Sequence, residues 1–165
     1  MKTTTAKYLA LSTILLSVLV LPPIAHSHCQ IPCGIYNDPL RFDLIAEHIT
    51  TTEKAMKMIT LLSQADKPNM NQMIRWVQNK EQHADEISRI VTYYFMAQRI
   101  KPTAKTDDKA YNEYVNKLVL LHQMLVYSMK SKQTSDLANV EKLKSLLAEF
   151  RAVYFGEHNH SGHKH

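Results

Sequence analysis

Glycine is scarce in this chain, with three in 165 residues. So few argue against a β-rich or loop-rich fold, which uses glycine in its tight turns. Cysteine is scarcer still, at two, too few for a small disulfide-stapled scaffold. No run of Lys or Arg is long enough to make a groove-sized basic patch, so nothing argues for nucleic acid. No segment keeps up a period-two alternation, no internal repeat recurs, and no linker divides the chain.

The one long apolar run lies at the start. Lys2 and Lys7 precede it, residues 8–21 form it, and Pro22-Pro23 ends it. Ala25 and Ser27 then supply small residues at the −3 and −1 positions of a cleavage site. This is the layout of a secretory signal peptide over residues 1–27. The run is short for a membrane anchor, which needs ~20 apolar residues, and bulky His28 before Cys29 weakens a lipoprotein reading. The mature chain would have 138 residues, one ordinary domain. The leader holds two lysines and no acid, which leaves 18 basic against 15 acidic residues, a mild +3. The expected location is exported, periplasmic or secreted, with no stable membrane association after cleavage.

The rest reads as all-α, an antiparallel up-down four-helix bundle behind an N-terminal metal-binding hook. Pro39 opens the first helix with Asp38 as N-cap, and Ile45, Ile49, Thr52, Met56, Ile59 and Leu62 form its stripe. The break at residues 66–69 leads to a second stripe of Met73, Val77, Ala84, Ile87, Val91 and Tyr94, ending before Lys101-Pro102. The third helix starts near Asp107-Asp108 and uses Tyr111, Val115, Leu118, His122, Leu125 and Met129. Ser135 or Asp136 caps the fourth, with Leu137, Val140, Leu143, Leu147, Phe150 and Tyr154, and Gly156 stops it. The expected organisation is a leader (1–27), a hook (28–36), the bundle (37–156) and a tail (157–165).

The bundle histidines His48, His83 and His122 are separated and lack the Glu-x-x-His pairs of bundle di-metal sites. They read as surface or hydrogen-bonded side chains. Trp76 reads as core or interface. The tail carries four histidines in nine residues, either a loose metal trap or an idle polar end.

The chemistry concentrates in residues 28–36, His-Cys-Gln-Ile-Pro-Cys-Gly-Ile-Tyr. Export makes a disulfide the default for a cysteine pair, but a C-x-x-x-C loop is too small to stabilise much. Thiolates select soft or borderline ions. Cleavage after Ser27 would free the α-amine of His28. That amine and the amide nitrogen of Cys29 form a five-membered chelate ring, and with the thiolates of Cys29 and Cys33 they complete a plane. Square-planar coordination indicates Ni(II) or Cu(II). Copper(II) would oxidise the thiolates, so nickel is preferred, with the His28 ring as a fifth, axial ligand. Thiolates and a deprotonated amide also bring a Ni(II)/Ni(III) couple within reach. Pro32 restricts the chain before Cys33, Gly34 allows a tight turn, and Tyr36 can donate a hydrogen bond to a small ligand.

This segment resembles the hook of the nickel-containing superoxide dismutases, whose mature chain begins H-C-x-x-P-C-G-x-Y; the matching residues are His28, Cys29, Pro32, Cys33, Gly34 and Tyr36. Asp38-Pro39 and Lys80-Glu81-Gln82 extend the likeness. The resemblance implies disproportionation of superoxide to oxygen and hydrogen peroxide, nickel held by His28, Cys29 and Cys33, a cis bond before Pro32, catalytic roles for His28 and Tyr36, and a homohexamer of four-helix bundles. Gln30 stands where the family often has Asp. Ile45 and His83 fall where the family's axial histidine is supported by Glu and Arg, so Glu47, Asp43 or His83 would have to serve. A family tyrosine late in the second helix falls near Tyr93 and Tyr94. The competing readings are an exported nickel or copper carrier without redox turnover, and a metal-free bundle with a Cys29–Cys33 disulfide.

Overall fold

The computed structural model describes residues 31–156. The predicted leader, His28, Cys29, Gln30 and the histidine tail lie outside the described residues. Four helices run in order: α1 Asp38–Ser63, α2 Met70–Arg89, α3 Asp108–Gln133 and α4 Leu137–Gly156. Among the described residues there is no strand, and no helix is long and apolar enough to cross a membrane.

Cross-helix contacts fix the directions. Asp38 meets Arg99 and His48 meets His83, so α1 and α2 are antiparallel. Glu53 with Lys144 and Asp43 with Arg151 set α4 antiparallel to α1. Ser128 of α3 donates to the carbonyl of Ala84 in α2, while Lys80 donates to the carbonyls of Lys132 and Thr134. Lys80 is almost fully buried, and its charge sits against the C-terminal carbonyls of α3, where a cation is favourable.

The helix starts use short polar caps. Asn37, not Asp38, caps α1, and its side chain accepts from the Leu40 amide at 3.2 Å. Asp38 is already helical, and its carboxylate is committed elsewhere. Asn69 and Asp107 cap α2 and α3 in the same way, and Asp136 accepts from the Ala138 amide ahead of α4.

The helix expected to run unbroken from Met70 toward Lys101 does not stay α-helical. It continues from Ile90 to Arg99 as a π-helix. The closing amide of Ile100 donates to the carbonyl of Phe95, five residues back, at 2.9 Å. A π segment is rare and lets residues five apart share a face, whereas an α-helix would set them ~140° apart.

The stripes on α1 and α4 are buried largely as predicted: Ile45, Ile49, Thr52 and Met56 on one, Val140, Leu143, Leu147, Phe150 and Tyr154 on the other. Two expectations fail. Val77 on α2 is exposed, its place toward the core taken by Lys80 and Ala84. On α3 the buried stripe is Leu120, Leu121, Met124, Ser128 and Ser131, while His122 and Met129 face out. This helix is apolar around most of its girth, so two stripes satisfy a three-and-four spacing, and only packing decides between them.

Phe42 sits at the centre of an aromatic cluster, 5.0 Å from Phe95, 5.2 Å from Phe150 and 5.2 Å from Phe155, centroid to centroid. It is fully buried. Phe42→Ala should destabilise the bundle by about 3–5 kcal/mol, read as a lowered midpoint of urea unfolding with an unchanged slope.

Candidate metal centre

Of the predicted donors, Cys33 alone falls among the described residues. It is exposed, in a turn between Pro32 and Gly34. The Ile31–Pro32 bond is cis, as the resemblance implied. Gly34 has φ +75°, a left-handed conformation that a side chain would strain, so the glycine is required for the turn that presents Cys33. Among the described residues no three His, Cys, Asp or Glu side chains gather as a metal site. An exposed sulfur on a tight turn next to the N-terminal segment suits a thiolate ligand, and the sequence places His28 and Cys29 directly before it.

The turn is held on the open end of the bundle. The Tyr36 ring packs edge-on against Tyr94 at 5.9 Å, and the Arg99 guanidinium lies over its face at 4.4 Å. Gln98 reaches the carbonyl of Ile31 at 3.5 Å and that of Tyr93 at 2.7 Å. Every one of these bundle residues belongs to the π segment. Tyr94 and Arg99 are five apart, and the π geometry brings both to the hook side.

Asp38, two residues after Tyr36, ties this face together. Arg99 donates to both its oxygens, at 2.9 and 2.6 Å. The hydroxyls of Tyr94 and Tyr154 add bonds of 2.5 and 2.8 Å. Burial pushes the Asp38 carboxyl upward, but these hydrogen bonds and the Arg99 charge outweigh it and hold the group below its ordinary value. Burial and the Asp38 bond push the Tyr94 hydroxyl up to about 12, so it remains a donor. Tyr154 is raised for the same reasons. Burial alone would lower Arg99, yet the hydrogen bond to Asp38 raises it.

The other predicted residues fall elsewhere. Ile45 is in the core. Asp43 accepts from Arg151 of α4 at 3.1 Å, and Glu47 is exposed. His83 joins His48, their Nδ1 atoms 2.8 Å apart, one ring donating to the other. None of Ile45, Asp43, Glu47 and His83 lines the cleft of about 360 Å³ beside the hook, which is walled by Ile31, Pro32, Arg41, Arg89, Ile90, Tyr93 and Tyr94. Tyr94 is the tyrosine that meets Tyr36; Tyr93 lines the cleft and is half exposed. Arg99 carried no sequence signal, because an α-helical register turns it ~140° from Tyr94; Gln98 shares the Tyr94 face in either register, but its reach to the Ile31 carbonyl depends on where the hook lies.

A sequence model of the family described as nickel-containing superoxide dismutase matches residues 23–158, most of the chain. No curated protein and no solved structure matches it.

Two outcomes follow from the charges. Asp38→Asn should cost about 2–3 kcal/mol, between an exposed ion pair and a fully buried one. Because the folded carboxyl lies below its ordinary 3.8, its contribution is present above that pH and is lost as pH falls through the folded value. The variant's stability should therefore vary less with pH below about 4, measured by urea titrations. His48 is lowered from 6.5 by burial and by His83, so the unfolded chain takes up the proton first. Stability should decline as pH drops below 6.5, and His48→Gln should flatten that slope in thermal melts.

Proposed function

Since the chain belongs to the nickel-containing superoxide dismutase family, it is a nickel-dependent oxidoreductase, and we propose that its catalytic centre is the N-terminal hook. The reaction converts two superoxide anions and two protons to oxygen and hydrogen peroxide. Nickel supplies the one-electron Ni(II)/Ni(III) couple for it. We assign the metal to the α-amine and ring of His28, the amide nitrogen and thiolate of Cys29, and the thiolate of Cys33.

The observation that carries this assignment is the seating of the Cys33 turn. A cysteine turn with a left-handed glycine is docked on a polar, arginine-rich end of the bundle. The docking uses Tyr36, the residue whose hydroxyl would serve the substrate. Its ring is fixed on two sides, by Tyr94 and Arg99, so the hydroxyl is placed by packing and costs little ordering when a small ligand arrives. Peroxide formation consumes two protons. Tyr36 and the backbone N–H groups of the turn are the donors at hand.

The remaining organisation follows the same reading. Residues 1–27 act as a leader whose removal exposes His28, residues 28–36 as the hook, 37–156 as the bundle and 157–165 as a histidine-rich tail. The mature protein is exported, to a periplasm or the medium, and does not stay on a membrane. It assembles as a homohexamer. In support, Leu118, Val119, Leu125 and Met129 leave a second apolar stripe on α3 that the bundle covers only in part.

Cys33→Ser should abolish nickel binding and reduce dismutation to background while leaving the helical circular dichroism intact. One extra residue placed before His28 should do the same, because it moves the amine out of its chelate ring. Metal analysis and a superoxide-consumption assay on the processed protein check both. Retained nickel and activity in either variant would refute the assignment.

A further inference from the structure

We propose that the cleft between the hook and helices α1 and α2 is an anion-admitting subsite, with the Arg41 guanidinium as its receiving group. It rests on the dismutase reading, whose substrate is a small monoanion. The cleft encloses about 360 Å³, room for a diatomic anion and its water. It runs up to Pro32, the residue directly before Cys33.

Three arginines stand near the hook, and their charges are not equally available. Arg99 is neutralised by Asp38 in a two-pronged pair. Arg89 pairs with Glu86 at 2.8 Å. Arg41 has no carboxylate partner among the described residues. Its guanidinium lies over the Tyr94 ring, 4.9 Å from the ring centre. Its Nε–H is buried and has no hydrogen-bond acceptor among the described residues. A buried donor without a protein acceptor is unusual and leaves a hydrogen bond to be made. Ile31, Ile90 and the Tyr94 ring give the cleft low-dielectric walls, which focus the field of an uncompensated cation on the opening.

This charge is not visible from the net value of the chain. It arises because Arg41 lies one helical turn after Asp38 on α1, and Asp38 is already taken by Arg99. The carboxylate one turn before it is therefore unavailable to Arg41. Asp43, next in line, faces Arg151.

The test uses the full processed chain in two states. In the nickel-loaded enzyme, Arg41→Gln should lower kcat/KM at low ionic strength by on the order of threefold to tenfold. The gap should close as salt is raised and the field is screened. Arg41→Lys, which keeps the charge, should keep most of the salt dependence, and nickel content should be unchanged in both. In the nickel-free protein, azide serves as a small linear anion. Its titration should shift the Arg41 Nε–Hε resonance in the wild-type chain. That shift reads the subsite independently of the dismutase reading: an inactive wild-type protein whose Arg41 still responds to azide would retain the subsite and reject the activity. A wild-type salt dependence in Arg41→Gln, or an Arg41 signal unmoved by azide, would overturn the proposal. Loss of nickel from Arg41→Gln would also overturn it, since Arg41 would then hold the hook and not the anion.

Discussion

The carboxylate of Asp38 and the guanidinium of Arg99 form the contact on which the architecture of this protein's working end depends. Asp38 stands where the hook becomes helix α1. Arg99 stands where the second helix ends. Joined by two hydrogen bonds, with Tyr94 and Tyr154 closing on the same carboxylate, they fasten three elements at one point. The hook therefore leaves the bundle from a fixed origin. Arg99 also covers the face of Tyr36, so one guanidinium both secures the helix start and orients the aromatic residue nearest the cysteine turn.

That contact needs the π-helical stretch from Ile90 to Arg99. In an α-helix Tyr94 and Arg99 would point in directions ~140° apart and could not both reach Asp38. The widened helix brings them to one face, and Gln98 beside them reaches the backbone of the hook. Below it, Phe42, Phe95 and Phe150 fill the space with edge and stacked contacts. The bundle thus provides a stiff, aromatic-backed platform, and on the proposed assignment the chemistry is left to the short segment that precedes it. Such a division suits a dismutase: a nickel hook made of one continuous stretch needs orientation and a proton supply from the fold, and few ligands from it.

Much of this was legible in the residues. The turn at Cys33 was legible from its flanks, since Pro32 and Gly34 mark a tight turn and the structure shows a cis Ile31–Pro32 bond and a left-handed Gly34 there. Helices α1 and α4 were readable because each has one apolar stripe. Helix α3 was read only in part: Leu118 and Leu125 pack on the edge of the core, but His122 and Met129 face out and Leu120, Leu121 and Met124 are buried instead, since sequence spacing cannot say which side a neighbour covers. Asp38 looked like a cap because caps are short acids before a proline; Asn37 took that role and freed Asp38 for Arg99. The π segment left no signature, so the partners of Tyr36 were invisible. The pairing of His48 with His83 was equally hidden, because it joins two helices at positions with no shared motif.

The claim that everything else serves is that the mature chain begins at His28 and closes around nickel through Cys29 and Cys33. Native mass spectrometry of the protein purified from its source tests it most directly. The account predicts a chain starting at His28 that carries one nickel ion, with both sulfurs bound to the metal. A chain with a different first residue, or one without nickel whose Cys29 and Cys33 are joined to each other, would contradict it.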